Sequence, residues 1–563
     1  MAKKTVEDWI TDIDNALAYR EIFAREASWW KCEKNYLNDP SGDTAIGPNL
    51  VYEMGDTLTS TLGVPDPEFV VNATRQAGLK KAPIIEAMDN SFVGKLRLKK
   101  YIDVGILRGF IYGNVILKIG YDSEYGWSPY YDIGPENNLL GMTLTQFDKK
   151  GRRIESPDTQ PGWPWVRPVL PHDFVVPWGT VFIEDAPWVA QRFVRHVDYF
   201  KRDPKYKNTT SLTGKISMED FMSSYLDVGS RKVQARLKGI ARANKKPEYV
   251  EAWEIVDRVN GERIVVCREM AAENKFLRKT RDAIQMACGM PYVTGTLSIH
   301  PRSFWCTSPA YYLGQLQATQ SDISLQAEKQ RRLSILKFLY RKNAIKPENL
   351  RKLLSGHCGA AEAVEGAWPL NEVIAPVNTG ATFDHLVHAE RNRQDARSVS
   401  GLSRNQMGEF DKSTRRTASE VKSVARGSGL RTGKRSQVVA SLYTDIIEKV
   451  NQIVFEFWRV PREVMQKGGQ FNLVTGDMLK GDYQYEVSLS TKRNISRAER
   501  KVEALMMIAQ LAPFLNQNNI GAVFQYLIDA SGDPAFEAIL SPGVGGGTQG
   551  QGSGKQGQLP AGD

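Results

Sequence analysis

The sequence predicts an α+β protein, in which a mixed body of helices and short strands carries two polar helices with a small insert between them. Three observations lead to this fold class. Apolar residues recur at helical spacing through 82–111. Short aromatic runs between 166 and 195 are typical of strands. Ser308-Pro309 is a suitable cap and first position for a long helix whose middle is almost entirely polar.

The N-terminal part of the body alternates helices and strands. Helices are predicted at 5–36, 48–63 and 82–111, and the second of them stops at a glycine. A turn with a short strand is predicted at 65–71. Gly113 then separates the third helix from a strand at 115–121.

The rest of the body is richer in strands. Residues 122–165 contain several Gly and Pro breakers and are predicted to be loop-rich, whereas 197–242 are predicted to be mostly helical with polar breaks. Asn260-Gly261 between two apolar runs indicates a hairpin. Strands are predicted at 166–170, 174–177, 189–194, 249–256 and 262–268.

The helix that begins at Ser308 is predicted to run to about Tyr340. Between Gln317 and Arg332 only Ile323 and Ala327 form an apolar seam, which is narrower than a globular core helix needs. Such a helix is exposed, packs on copies of itself or lines a wet channel. A solvated linking helix remains the alternative.

The insert and the elements after it complete the central region. A short helix at 347–354, a strand at 373–377, a helix at 383–399 and a flexible loop at 401–416 are predicted. The sequence Thr417-Ala-Ser-Glu420 is a capping box that begins another helix. We expect interruptions of that helix around 427–429 and at Gly433, followed by a core seam of Val439, Leu442, Ile446, Val450, Ile453 and Phe457.

The C-terminal part is predicted to return to the body and then to end without structure. Residues 461–490 suggest a small β segment, and helices are predicted at 496–515 and within 520–539. From residue 541 the chain is mostly Gly, Gln and Ser. Such a composition has almost nothing to bury, so disorder is expected there.

Composition limits the class of protein. The 563 residues are 41% hydrophobic and 25% charged, which is ordinary for a folded chain, and the net charge of +10 makes an acidic partner plausible without establishing one. The five cysteines form no CxxC pair, which fits a reducing compartment. The N-terminal stretch is charged and amphipathic, unlike a signal peptide, and no apolar run reaches membrane-spanning length.

No catalytic or cofactor motif is present. The segment 428–435 (SGLRTGKR) departs from the phosphate-loop pattern at its first and last positions and follows no strand. His385 and His388 lie one helical turn apart, but nothing is spaced to complete a metal site. We therefore expect neither a cofactor nor a metal, and a solvated or capping role for both histidines.

Two basic regions could meet phosphates, or could be solvated faces or ion-paired subunit interfaces. Glu348 is the main acidic residue within the first of them. The first region comprises Lys329, Arg331, Arg332, Lys337, Arg341, Lys342, Lys346, Arg351 and Lys352. The second comprises Arg404, Lys412, Arg415, Arg416, Lys422, Arg426, Arg431, Lys434 and Arg435.

The order of these features resembles the portal (head-to-tail connector) proteins of tailed bacteriophages. The similar stretches cover most of the chain, and their order and spacing make the resemblance specific. They are GFIYGNVILKIGY at 109–121, HDFVVPWG at 172–179, APWVA at 186–190, SPAYYLGQ at 308–315 and TASEV at 417–421.

The resemblance implies a portal-type subunit divided along the chain. It assigns 1–307 to an α/β wing, 308–340 and 381–400 to two stem helices, and 341–380 to a small α/β clip. It assigns 401–416 to a tunnel loop facing the DNA, 417–489 to a wing-crossing helix with a β return, 490–540 to a helical crown and 541–563 to a disordered tail.

The resemblance also implies a place in the virion and a set of partners. The subunits would form a ring, usually of twelve copies, at one capsid vertex, assembled in the host cytoplasm. Double-stranded DNA would pass through the channel during packaging and ejection. The partners would be the large terminase subunit, then the head-completion adaptor and tail proteins, with the major capsid and scaffolding proteins around the ring.

Two sets of residues follow as candidate sites. Arg404, Lys412, Arg415 and Arg416 would lie near the DNA in the tunnel loop as a mobile brake or gate. The clip would bind its partners through Arg351, Lys352, Glu362, Glu365 and Trp368.

A channel through which DNA slides should carry few unpaired basic rings, because each neutralised phosphate strengthens binding. We therefore expect most cations of 329–352 to face outward, neighbouring subunits or the terminase. Lys329, Arg332 and Arg341 all lining the bore unpaired would contradict this.

Two other classes of protein compete with this interpretation. A packaging ATPase or nuclease would need a phosphate loop or a carboxylate metal cluster on a parallel α/β core, and the sequence shows neither. A non-enzymatic nucleic-acid-binding or scaffold protein without a ring would bind DNA tightly at low salt as a monomer or dimer.

Overall fold

The computed structural model describes residues 4–38, 47–63, 67–121, 146–147, 153–154, 163–217, 247–333, 338–340, 348, 374–376, 385–402, 418–459, 461–466 and 471–488. All of them belong to one compact unit, Met1–Ser488. The predicted helices at 347–354, 496–515 and within 520–539, and the predicted tail from 541, lie outside the described residues, apart from Glu348, which is helical.

The described part of the chain contains both helices and strands, as the sequence predicts. The helices are α1 (Val6–Ala24), α2 (Trp29–Leu37), α3 (Leu50–Leu62), α4 (Ala82–Lys95), α5 (Leu98–Tyr112), α6 (Val197–Arg202), α7 (Ala283–Cys288), α8 (Pro309–Leu333), α9 (His385–Ser400), α10 (Ala418–Phe457) and α11 (Gly476–Leu479).

The strands are short and all of their pairings are antiparallel within the described part. They are β1 (Glu68–Ala73), β2 (Asn114–Tyr121), β3 (Gln146–Phe147), β4 (Arg153–Ile154), β5 (Pro164–Pro168), β6 (Phe174–Val175), β7 (Trp188–His196), β8 (Ile216–Ser217), β9 (Pro247–Asp257), β10 (Glu262–Cys267), β11 (Arg278–Arg281), β12 (Tyr292–Thr296), β13 (Phe338–Tyr340), β14 (Ile374–Pro376), β15 (Arg462–Met465), β16 (Phe471–Val474) and β17 (Tyr483–Ser488).

The largest sheet has apolar side chains on both of its faces. Its strand order is β11-β10-β9-β7-β6, with β8 paired to β9. On one face Trp253 and Ile255 of β9 meet Trp9 of α1, whose ring is 5.8 Å from that of Trp188. On the other face Ala252 lies in a cluster with the fully buried Phe200 of α6. Alternate residues of β9 therefore belong to two different cores, as the period of two in a strand requires.

A second, three-stranded sheet (β12-β2-β5) joins the strands to the helical layer. Every residue of β2 is buried. Glycines allow α5 and α10 to approach the sheet closely. A Cβ on Gly109 would lie 2.7 Å from the Val115 side chain, and one on Gly295 would lie 3.1 Å from Leu442. The sheet is thus covered by helices, and β2 is buried along its whole length although it includes Asn114 and Lys118.

Two predicted helices prove to be broken. The helix predicted at 5–36 is α1 and α2, separated at Arg25 (φ 54°), and the one at 82–111 is α4 and α5, separated at Arg97 (φ 52°). Each break lets both halves keep an apolar face on the body. The helical period continues across the breaks and neither holds a Gly or Pro, so the sequence alone did not reveal them.

The long helix α10 is continuous where the sequence predicts breaks. We expected interruptions around 427–429 and at Gly433, but the helix is continuous over 40 residues. A glycine lowers helix stability by only about 1 kcal/mol and removes no hydrogen bond. The packed second half supports the rest: Val439, Leu442, Ile446, Val450 and Ile453 are buried as predicted. Phe457 is only half-buried.

Four other predictions are corrected, tested in part or confirmed. Of the helical region predicted at 197–242, the described residues 197–217 contain α6. A 3-10 turn (Thr209–Ser211) and β8 follow, and 218–246 lie outside the described residues. The helix from Ser308 ends at Leu333 rather than near Tyr340, because the β-forming Phe338–Tyr340 pairs with β14. The Asn260-Gly261 hairpin (β9–β10) and the β return after 461 are confirmed.

Candidate functional site: two polar helices and their anchorage

The start of α8 is fixed inside the body. The Ser308 hydroxyl accepts a hydrogen bond from the backbone N–H of Tyr311 at 3.0 Å, which confirms the predicted cap. Just before it, Cys306 passes so close to Gly113 (φ 100°) that a Cβ there would lie 2.1 Å from the Cys306 carbonyl oxygen. Asn114 holds the same segment, accepting from Cys306 N–H and donating to Phe304 C=O. The first turn of α8 is therefore part of the core of the α+β body.

Beyond Leu313, the buried seam of α8 continues through two glutamines. Leu313, Gln317 and Gln320 are all buried and follow one another at spacings of four and three. The predicted apolar seam, Ile323 and Ala327, is only half-buried. The seam lies elsewhere because α3 and α9 pack on the glutamine side of the helix.

Gln317 ties α8 to the beginning of α3. Its side-chain carbonyl accepts a hydrogen bond from the backbone N–H of Leu50 at 2.7 Å, and its amide donates to Pro48 C=O at 3.5 Å. The N–H groups in the first turn of a helix have no partner within the helix. Gln317 therefore satisfies one of these donors of α3 from a neighbouring element.

α9 runs antiparallel to α8 and is joined to it by a buried asparagine. Asn392 is 6% exposed and donates from Nδ2 to Leu316 C=O and to the Gln320 side chain, both at 2.9 Å. Near the far end, His385 hydrogen-bonds Gln330. His385 is thus a half-buried contact between the two helices, whereas His388 is exposed.

The C-terminal end of α9 is held by a side chain of α10. Gly401 adopts a left-handed conformation (φ 73°), and its N–H bonds Arg397 C=O at 2.8 Å. Arg435 of α10 donates to the Ser400 carbonyl at 2.8 Å, which satisfies an end-of-helix acceptor with a cation. Arg435 belongs to the second basic region, so this member has a structural contact within the chain.

The predicted site residues all lie outside the described residues. They are Arg404, Lys412, Arg415 and Arg416, and Arg351, Lys352, Glu362, Glu365 and Trp368; the capping residue Thr417 is outside as well. Of the predicted insert at 341–380, β14 and Glu348 are described, and β14 pairs with β13. Lys329 and Arg331 are exposed on α8. Where the other members of the first basic region point remains a prediction.

The buried charges of the wing are balanced and have a structural role. Lys118 Nζ lies 2.5 Å from Glu254 Oε2, and Arg263 pairs with both Glu254 and Asp282. Burial alone would raise the pKa of Glu254, but Lys118 and Arg263 more than offset this, so its pKa lies below the usual range. Asp282 also caps α7 through the Ile284 and Gln285 N–H groups. Each charge in this network has a partner that explains it.

The described residues show no metal site, no membrane-spanning helix and no activated cysteine. In the described ranges, no group of three His, Cys, Asp or Glu side chains could hold a metal ion. None of the helices described is long and apolar enough to cross a membrane. Burial raises the pKa of the Cys267 thiol to about 11 and that of Cys288 to about 12, so both are poor nucleophiles.

Sequence reasoning located the two helices but missed what joins them. Gln317, Gln320 and Asn392 are polar, and a side chain of that type is normally assigned to solvent. The spacing of the two glutamines from Leu313 was the available signal. It could not be distinguished from a solvated face without knowing that α9 returns along the same side.

Comparison with known protein families identifies the class of protein. The family model described as phage SU10 portal protein matches residues 114–551, most of the chain. The match defines a structural component of phage particles, a class that is generally non-enzymatic. The chain belongs to the family of phage portal proteins.

The other comparisons add little to that membership. A chain from the virion of a native gene transfer agent (GTA) particle aligns over 88% of this chain and 93% of its own, with 10% identity and a TM-score of 0.37. A similarity of that size carries no argument. No curated protein matches the chain significantly.

Proposed function

We propose that this portal protein forms a ring at one capsid vertex and that its central channel carries double-stranded DNA during packaging and ejection. Family membership carries the proposal. The two polar helices support it: both start or end in the wing core, yet their outer faces carry exposed apolar side chains. Leu386 is 84% exposed, Val387 59% and Tyr312 53%. Neighbouring copies in a ring would cover these side chains.

In this assembly α8 and α9 are the stem, and residues 1–307 form most of the wing. The insert at 341–380 is the clip, residues 401–416 are the tunnel loop, and 490–540 are the crown. The clip binds the large terminase and later the head-completion adaptor and tail proteins, while the capsid and scaffolding proteins surround the ring. We propose twelve subunits, assembled in the host cytoplasm.

The assembly is tested first by electron microscopy and mass photometry of the purified protein. Rings with a central hole about as wide as duplex DNA, and a mass near twelve times 63.1 kDa, are expected. Because copies bury surface that the free chain exposes, assembly should also raise thermal stability with concentration. Monomers that remain open at high concentration and bind DNA tightly at low salt would favour a non-enzymatic nucleic-acid-binding or scaffold protein.

The tunnel loop is tested by neutralising Arg404, Lys412, Arg415 and Arg416 to glutamine together. If these side chains act on DNA, packaging efficiency or the retention of packaged DNA should change while ring mass does not. The matched control neutralises Lys201 and Arg202, which are exposed on α6 in the wing. Unchanged packaging and retention in the loop variant would contradict the proposed brake.

The clip is tested by binding. Alanine replacements of Arg351, Lys352, Glu362, Glu365 and Trp368 should weaken capture of purified large terminase or adaptor and leave the ring intact. Replacement of the exposed Met286 and Val259 of the wing provides the control. Equal capture by both variants would remove these five residues from the partner surface.

A further inference from the structure

Two polar side chains meet in the core between α4 and α10 and leave two oxygen atoms without partners. Asp89 and Asn451 are both 0% exposed. Asn451 Nδ2 donates to Asp89 Oδ2 at 3.0 Å. The other oxygen of each side chain, Asp89 Oδ1 and Asn451 Oδ1, is buried with no hydrogen-bond partner. A buried unpaired acceptor costs about 1–3 kcal/mol, so two such acceptors on one pair of contacting side chains require an explanation.

The surroundings of Asp89 contain no compensating cation in the described part of the chain. Glu86 lies one turn earlier on α4 and Glu448 one turn before Asn451 on α10. Tyr485, the titratable group on β17, also hydrogen-bonds the Asn451 side chain. From β15, Arg462 lies over the rings of Trp163 and Trp458. Burial raises the pKa of Asp89 well above its usual range. The Asn451 N–H opposes that shift and Glu86 adds to it.

We propose that Asp89 is protonated in the folded protein and that its hydroxyl donates to the Asn451 side-chain carbonyl. The acid and the amide then share two hydrogen bonds and form a pH-sensitive clasp between α4 and α10. One proton supplies the donor that both orphaned oxygens lack. Loss of that proton to solvent leaves a buried carboxylate that keeps one amide donor and has no compensating cation among the described residues, which favours separation of α4 from α10. This proposal does not depend on the ring or its channel.

The pH dependence has a definite sign. The folded state holds this proton more tightly than the unfolded chain does, so the clasp stabilises the fold at low pH. Its contribution is lost as pH rises from the ordinary carboxyl pKa towards the raised folded pKa. Within that window the unfolding constant should increase by up to about tenfold per pH unit.

The test compares the full-length protein with the isosteric Asp89→Asn variant, which keeps a neutral donor–acceptor pair. Thermal midpoints and amide hydrogen exchange of α4 and α10 are measured from about pH 5 to about pH 9. The wild-type midpoint should fall with pH and exchange in both helices should rise, while Asp89→Asn should lose that part of the slope. The control Glu21→Gln, an exposed carboxyl on α1, should keep it. Equal slopes in wild type and Asp89→Asn would overturn the proposal.

An infrared measurement keeps the proposal testable even if the variant folds poorly. The folded wild-type protein at neutral pH should show the C=O stretch of a buried protonated carboxyl, and this band should disappear at high pH in step with the increase in exchange. A neutral-pH spectrum without that band would show that Asp89 is ionised and would refute the clasp.

Discussion

Two different kinds of interface hold the α+β body and the α8–α9 helix pair. Where α10 crosses the wing it buries an almost continuous row of Val, Leu and Ile side chains. Where α8 meets α9 and α3 it buries amides, and Gln317, Gln320 and Asn392 make specific hydrogen bonds. A row of apolar side chains stabilises the folded state by removing apolar area from water. A seam of amides contributes less net stability, but its directional hydrogen bonds determine the register of the two helices. The comparison indicates a body stabilised by buried apolar area and a helix pair, α8 and α9, defined by register.

Removal of a buried arginine from the wing should have the largest effect. Arg20 is 4% exposed, forms a two-pronged pair with Glu26, and donates to the carbonyls of Pro171, His172 and Phe174. Arg20→Met should destabilise by about 3–5 kcal/mol, because several buried acceptors lose their donor. Urea unfolding followed by tryptophan fluorescence would measure it. Arg268→Met, which breaks a half-exposed pair with Asp14, is the control and should cost about 1 kcal/mol or less.

The amide seam should give the next largest effect, and it can be broken in two ways. Asn392→Ala leaves Leu316 C=O and the Gln320 side chain without a donor and should cost about 1–3 kcal/mol. Replacing Asn392 and Gln320 together by Leu should be nearly neutral for stability but should loosen the register of the stem. Hydrogen exchange of α8 and ring homogeneity by microscopy would separate the two outcomes. A double variant as unstable as Asn392→Ala would show that the seam contributes stability rather than register.

A glycine in α10 offers a change in the stabilising direction. Gly433 is exposed within the helix, and an added Cβ would meet nothing within 4 Å. Gly433→Ala should therefore stabilise by about 0.5–1 kcal/mol through the unfolded state. Gly295→Ala is the matched control, since its Cβ would press on Leu442 at 3.1 Å and should not stabilise. A destabilised Gly433→Ala would mean that this part of α10 requires more than helical conformation.

The smallest effect is expected at the contact between α9 and α3 that partly exposed charges make. Arg393 lies 3.6 Å from Glu53, with the two side chains 32% and 27% exposed. Arg393→Gln should cost about 0.2–1 kcal/mol and the difference should shrink in high salt. Thermal melts at two salt concentrations would measure it. A salt-independent loss above that range would show that the pair supports the stem more than its exposure suggests.

Local chemistry made much of the fold predictable. The Ser308 cap, the strand after Gly113 and the core seam from Val439 to Ile453 depend on residues close in sequence, and each is confirmed. The breaks at Arg25 and Arg97 were not predictable, because tertiary packing rather than a Gly or Pro places these residues in a left-handed conformation.

The candidate site was less predictable than the fold. An amide such as Gln320 looks the same in sequence whether it faces water or Asn392. The basic loop and clip residues lie outside the described part of the chain, so their roles remain predictions.

The continuity of α10 has a mechanical consequence. Its 40 residues amount to a rod of about 60 Å at 1.5 Å per residue. The second half of α10 is buried in the core and held in place by its packing. A force applied to the end near residue 418 would therefore bend the helix relative to this fixed half. A bending helix stores such a load elastically and returns it. Traction at the start of α10 would therefore be felt first where its buried row begins, at Val439.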